Sequence, residues 1–131
     1  MIVGIGTDIV AVSRVASVHA RLGERFVRRV LVEDERIAMP GGDRGVRWLA
    51  KRWAAKEAVA KAFGTGIGGS IGFQDIVIGR EAAGRPTVSL RGRGEFLAYD
   101  RGVSRVLLSI SDEGDMALAF VVLESARHHP L

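Results

Sequence analysis

Most of the chemistry legible in this sequence rests on an acid near its start, Asp8, and an acid and an amine near its middle, Glu57 and Lys61. Carboxylates and ammonium groups are the parts from which cation binding, phosphate binding and proton transfer are built. Glu57 and Lys61 lie in the run Trp53-Ala-Ala-Lys-Glu-Ala-Val-Ala-Lys-Ala-Phe63, which continues into Gly64-Thr-Gly-Ile-Gly-Gly69. At about 100° per residue, Val46, Leu49, Ala50, Trp53 and Ala60 fall on one apolar stripe, and Glu57 projects into its middle. A buried carboxylate without partners is costly, so Glu57 must be protonated, paired or bound to a cation. Two readings are open. Lys61, at i+4 on the edge of the stripe, pairs with Glu57 and only stabilises the helix, or Glu57 belongs to a site whose second ligand lies elsewhere in the chain.

Asp8 sits on a segment, Met1–Val10, that alternates as a strand does. Val3, Ile5, Thr7 and Ile9 share one face, and Gly4, Gly6 and Asp8 share the other. Two glycines on one face signal close approach by another backbone or by a ligand. Asp8 is then either the acid at the end of that bare strip or the cap of the helix that follows. The glycine-rich loop 64–69 can turn N–H groups toward phosphate oxygens. It follows a helix rather than opening one, and it lacks the Gly-Lys-Ser/Thr ending of a Walker loop, so alone it says little.

These residues need elements to hold them. Ser13 is the expected N-cap of a helix whose apolar stripe, Val15, Val18 and Leu22, ends at Gly23. Arg14, Arg21, Arg25 and Arg28 recur at helical spacing on another face, if the register survives Gly23; such a ridge is either solvated or a docking face for an acidic partner helix. A short helical segment around Val32–Met39 stops at Pro40-Gly-Gly42. Asp43 then caps a long central helix that runs to about Phe63, with Arg47, Lys51 and Arg52 on outer positions. Ile71–Ile78 and Thr87–Leu90 read as strands around a turn at Ala83-Gly-Arg-Pro86, and Arg91–Tyr99 as a short helix. Arg105–Ser111 and Met116–Leu123 form a hairpin around Asp112-Glu-Gly-Asp115. Its second strand is nearly all apolar, as a central strand should be. Residues from about 125 on, including His128 and His129, read as a flexible tail.

Composition excludes several classes. At 131 residues the chain fits one domain, spanning 1–131, and 47% hydrophobic residues with both charge signs interspersed mark it as globular. There is no cysteine, which rules out a disulfide framework and a thiolate metal site. No apolar run has membrane-spanning length, and the first residues read as a strand rather than as a charged leader, so a cytoplasmic location is expected. A net charge of +4 favours acidic partners. Basic–aromatic interleaving and zinc-finger spacing are absent, so basicity does not choose between nucleic acid, phosphate-rich ligands and an acidic protein.

Five segments taken together carry a resemblance. Gly4-Ile-Gly-Thr-Asp-Ile-Val10, Trp53-Ala-Ala-Lys-Glu-Ala58 with Lys61, Gly64-Thr-Gly66, Gly84-Arg-Pro86 and Leu108-Ser-Ile-Ser111 resemble the holo-[acyl-carrier-protein] synthase family, the small 4′-phosphopantetheinyl transferases, in order and spacing over nearly the whole chain. The resemblance implies an α+β fold with a mostly antiparallel sheet packed against a long central helix, and a trimer with active sites at subunit interfaces. It also implies transfer of the phosphopantetheine arm of coenzyme A to a serine of an apo acyl carrier protein or carrier domain, with magnesium as cofactor and adenosine 3′,5′-bisphosphate released. By motif match Asp8 and Glu57 are the metal-binding carboxylates, and with Lys61, a pyrophosphate-binding lysine, they form the catalytic set. Coenzyme A contacts are expected at Arg52, Lys56, Lys61, Gly64, Thr65, Gly66, Arg85, Pro86 and Ser109. Arg14, Arg21, Arg25 and Arg28 are expected to meet the carrier.

The proposed chemistry suits these residues. Magnesium takes hard oxygen ligands and commonly combines one or two carboxylates with substrate phosphates and water. The acceptor serine needs a proton acceptor, for which Glu57, a metal-ordered water and deprotonated Lys61 are candidates. One departure stands out. Many relatives carry histidines at both ends of the segment that here reads Leu107-Leu-Ser-Ile-Ser-Asp112, and Asp112 would repel a 3′-phosphate unless Arg47, Lys51 or Arg52 compensates. A magnesium-dependent nucleotide pyrophosphohydrolase, a small basic nucleic-acid-binding domain and an impaired family member acting as a scaffold are the rival readings.

Overall fold

The structure, a computed structural model, describes residues 1–126. Strand β1 (Ile2–Ala11) pairs antiparallel with β5 (Met116–Glu124), and β5 pairs with β4 (Arg105–Glu113), giving the order β1-β5-β4. The apolar β5 therefore takes the central position its sequence predicts. The register Asp8↔Ala119↔Ile110 and Gly6↔Val121↔Leu108 decides which side chains share a face. Ala117, Ala119, Val121 and Leu123 are buried on the inner face, while Leu118 and Phe120 between them are exposed.

The inner face packs on the 21-residue helix α4 (Gly42–Ala62). The contact is so close that glycine is required on the strand. A Cβ at Gly6 would lie 2.2 Å from the Ala58 carbonyl oxygen, and one at Gly4 would lie 2.4 Å from that of Ala62. The bare strip of β1 is thus a backbone-to-backbone seam with the alanine face of α4. From Gly4 to Gly6 the seam moves one helical turn back along α4. The next step on the same face is Asp8, which brings its carboxylate beside the turn that carries Glu57.

Helices α1 (Val12–Leu22), α2 (Glu24–Val30) and α3 (Glu33–Ala38) lie between β1 and α4 in the chain. A 3-10 turn (Phe73–Asp75) leads into a separate two-stranded ribbon of β2 (Ile76–Arg80) and β3 (Pro86–Leu90), and helix α5 (Gly92–Asp100) precedes β4. The core joins α4 (Leu49, Ala50, Ala54, Ala55, Val59) to Val15, Phe26, Val30, Leu31, Ile71 and Ile76, all buried.

Several boundaries differ from expectation. Ser13 is not the cap of α1; Ala11 holds that position, and the Ser13 N–H and hydroxyl both donate to the Asp115 carboxylate, at 2.9 and 2.5 Å. The Ala11↔Met116 pairing is what brings the hairpin turn there. Asp8 is no cap either, since it lies inside β1. Gly23, with φ of 58°, breaks the helical register, so the arginines divide between α1 and α2. The N-cap of α4 is Gly41, with Asp43 in the first turn. The segment 71–75 is not strand. Ser125, where the tail is expected to begin, is buried and exchanges two backbone hydrogen bonds with Met1, so it belongs to the fold. His128 and His129 lie outside the described residues.

Candidate active site

Asp8, Glu57 and Lys61 form one electrostatic unit. Lys61 Nζ lies 2.8 Å from Asp8 Oδ1 and 3.3 Å from the Thr7 carbonyl oxygen. The i, i+4 pair with Glu57 is therefore not what holds Lys61; it reaches across the seam to β1. Asp8 is largely covered while half of the Lys61 side chain is exposed, so the ammonium pairs with Asp8 from the solvent side. Burial first, and the Asp8 charge second, push the Glu57 carboxyl above its usual range, although Lys61 opposes both. The hydrogen bond to Asp8 raises the pKa of Lys61 and keeps it protonated. Two acids facing one ammonium leave the site short of positive charge.

Glu57 also lines a cleft of about 470 Å³, with α1 and α2 forming the opposite wall. Its apolar lining includes Phe26, Val30, Trp53 and Phe73, and its rim carries Arg21, Arg25 and Arg29. Phe26, Trp53 and Phe73 pack in series as tilted rings, with centroids 5.2 and 5.5 Å apart, and brace α2 against α4. Arg29 was not singled out from sequence, yet it extends Arg21 and Arg25 at four-residue spacing, which was the available signal. Arg14 and Arg28 are exposed outside the cleft lining.

Other expected contacts fall elsewhere. Lys56 is wholly buried, and its three protons go to Glu35 Oε1 (2.6 Å), Val30 O (2.6 Å) and Phe73 O (3.1 Å). No part of it is left to meet coenzyme A, which corrects that expectation. Burial lowers its pKa, and Glu35, also buried, counters this. Sequence gave no sign of Glu35, one acid in the run Glu33-Asp34-Glu35. Arg52 also turns inward. Its guanidinium lies 3.5 Å from the Trp48 ring centroid and 3.9 Å from Glu35, Nε is buried without a hydrogen-bond partner, and burial brings its pKa to about 10.

The Gly64-Thr-Gly66 loop is not a cradle of outward amides. Gly64 N–H donates to Lys61 O, and the N–H groups of Thr65 and Gly66 both donate to Ala60 O. They close the C-terminus of α4, whose last carbonyls need partners. Gly64 and Gly66 supply the positive φ, 80° and 67°, that this turn requires. Arg85 pairs with Glu81 and, with Pro86, lines a second cleft of about 370 Å³ between β3 and β4. Ser109 pairs with Phe120 on the outer face of the sheet, opposite the face that carries Asp8. Asp112 is held by Arg47 at 3.1 Å and Lys51 at 3.6 Å, so two of the cations considered as compensation do pair with it.

Among the described residues no three or more His, Cys, Asp or Glu side chains gather as a metal-binding group. Asp8 and Glu57 alone fit a magnesium ion that draws its remaining ligands from water and a bound diphosphate, and they would hold it.

The family model of the 4′-phosphopantetheinyl transferase superfamily matches residues 4–121, and the chain belongs to that superfamily. Within it, the chain is 46% identical over 124 residues to the holo-[acyl-carrier-protein] synthase of Neisseria meningitidis, covering 95% of this chain and 99% of that protein. It is 48% identical over 127 residues to the holo-[acyl-carrier-protein] synthase of Alkalilimnicola ehrlichii, covering 96% and 99%. The crystal structure of the Neisseria meningitidis enzyme superimposes with a TM-score of 0.89 over 95% of this chain and 100% of that one, at 46% identity. The Bacillus anthracis holo-(acyl-carrier-protein) synthase, in complex with CoA (3′,5′-ADP), superimposes with a TM-score of 0.81 at 38% identity, over 96% of this chain and 99% of that one.

Proposed function

We propose that this protein transfers the 4′-phosphopantetheine arm of coenzyme A to a serine hydroxyl of an apo acyl carrier protein or carrier domain. The observation that carries the reading is the convergence of Asp8 and Lys61 on Glu57, which lines a cleft rimmed by Arg21, Arg25 and Arg29. The serine oxygen forms a bond to the phosphorus that bears the arm, the P–O–P link breaks, and adenosine 3′,5′-bisphosphate leaves. Asp8 and Glu57 would hold magnesium, which would supply positive charge to offset that on the departing phosphate. Lys61, long and half exposed, exchanges its bond to Asp8 for the leaving phosphate and brings a second positive charge there. Held protonated, Lys61 serves as a charge rather than as a base. Glu57, which faces the cleft by which a carrier serine would enter, or a water it orders, accepts the proton.

The arginines of α1 and α2, with Arg14 and Arg28 flanking the cleft, are the docking face for the acidic carrier. Location in the cytoplasm, where coenzyme A and carriers meet, belongs to the same reading, and no helix among the described residues is long and apolar enough to cross a membrane. The outer sheet face supports assembly as a homotrimer. Ile5 (63% exposed), Ile9 (57%), Leu118 and Phe120 share that face as an exposed apolar surface of the kind a neighbouring copy would cover. The test is incubation with magnesium, coenzyme A and apo carrier, followed by intact mass of the carrier. Gain of the arm on its serine is expected; free phosphopantetheine with unmodified carrier would favour the pyrophosphohydrolase.

A further inference from the structure

The C-terminal end of α2 is held by side chains from other elements, and one of them is the residue next to Glu57. A helix of seven residues has little stability of its own, and its last four carbonyls find no partner within it. Gln74 Nε2, from the 3-10 turn, donates to Arg28 O at 2.7 Å and Leu31 O at 2.9 Å, with Arg29 O at 3.3 Å. Lys56 Nζ, from α4, donates to Val30 O at 2.6 Å. Of the last four helical carbonyls, those of Arg28, Arg29 and Val30 are thus satisfied by two side chains, while Val27 O accepts from the Leu31 N–H and Leu31 O, just past the helix, also accepts from Arg36 Nη1. The other two protons of Lys56 go to Glu35 and Phe73 O, so three donors meet three fixed acceptors. Glu35 is itself fixed by the N–H groups of Val32 and Ile78, at 2.9 and 3.0 Å.

A buried ion pair is a poor source of stability, since apolar residues of the same volume commonly serve as well. What apolar packing does not supply is direction. Aimed hydrogen bonds fix where α2 stands relative to α4, and α2 carries Arg25 and Arg29 on the rim of the cleft that Glu57 lines. We propose that Lys56 and Gln74 are positioning residues: they set the distance between the arginine face on which the carrier docks and the Glu57 carboxylate, and so align the incoming serine with the diphosphate. This rests on the transfer reading above. Misplacement of a reacting group by about 1 Å costs on the order of 10²-fold in rate, which makes such a clasp consequential.

Gln74 is exposed, so Gln74→Ala is a mild change and carries the test if Lys56→Met does not fold. Wild-type transfer is measured first; its absence would sink the reading of function before any variant is made. With transfer in hand, Gln74→Ala and Lys56→Met are expected to lose about tenfold or more in kcat with the carrier, with the carrier KM changing less than kcat. Dissociation constants for Mn²⁺ and for coenzyme A, measured by electron paramagnetic resonance and calorimetry, are expected to stay within about twofold of wild type. Gln74→Glu keeps the size but not the two N–H donors and is expected to fall with Gln74→Ala. An unchanged kcat in folded Gln74→Ala overturns the proposal. So does a parallel loss of metal or coenzyme A binding, or a rise in carrier KM alone.

Discussion

Glu57 carries two opposed effects. Burial and the Asp8 charge raise its pKa, so the folded chain keeps that proton to a higher pH than the unfolded chain does. From the ordinary carboxylate value near 4.5 up to the raised one, the folded state binds more protons, and stability falls as pH rises. Glu57→Gln removes that slope. In metal-free buffer the variant is expected to match the wild type near pH 4.5 and to melt at a higher temperature by pH 7, as thermal unfolding across that range will reveal. Transfer should fall on the order of 10²–10³-fold with magnesium saturating. Near-normal turnover would remove both the metal and the base assignment. Function here is set against stability, as at other sites that gather like charges. Lys56, one residue earlier on α4, is the opposite case, an ion pair satisfied entirely by protein.

Among the elements, the seam between β1 and α4 is what presents Asp8 to Glu57. A methyl group at Gly6 would stand 2.2 Å from Ala58 O and 2.6 Å from Ala62 N, both backbone atoms that cannot yield singly. Gly6→Ala is expected to cost about 1–3 kcal/mol or more by urea unfolding, and to weaken Mn²⁺ binding because the strand must lift away. On α1, Arg14→Glu is expected to weaken carrier binding about tenfold or more at low salt while leaving coenzyme A affinity unchanged, with the difference shrinking as salt is added. Equal loss of both would count against the docking role. The elements themselves were largely legible. Alternation announced β1, glycines on one side announced its close partner, and the apolar run of 116–123 announced a central strand. What stayed hidden depends on contacts far apart in sequence. Ser13 meets Asp115 only because β1 and β5 pair. The amides of 64–66 turn inward because α4 needs a C-terminal cap, and Lys56 differs from Lys61 because Glu35 and Val30 close over one and not the other.

For the whole molecule, the proposed working unit is an assembly that covers the exposed apolar face of the sheet. Phe120 stands at the centre of that face, paired with Thr7 and Ser109 and 43% exposed. Phe120→Asp places a charge where a neighbouring copy would desolvate it, so light scattering is expected to shift from trimer to monomer, with transfer lost although the fold survives. A monomeric wild type with full activity would contradict the assembly. In the proposed reading the three scales meet at the metal, where the carboxylates, presented by the seam, would hold one cation against one diphosphate. Mn²⁺ titration in the presence of coenzyme A, followed by electron paramagnetic resonance, tests this most directly. One tightly held ion per chain is expected in the wild type, with affinity reduced about tenfold or more in Asp8→Asn and in Glu57→Gln alike. Undiminished binding in both folded variants would contradict the account.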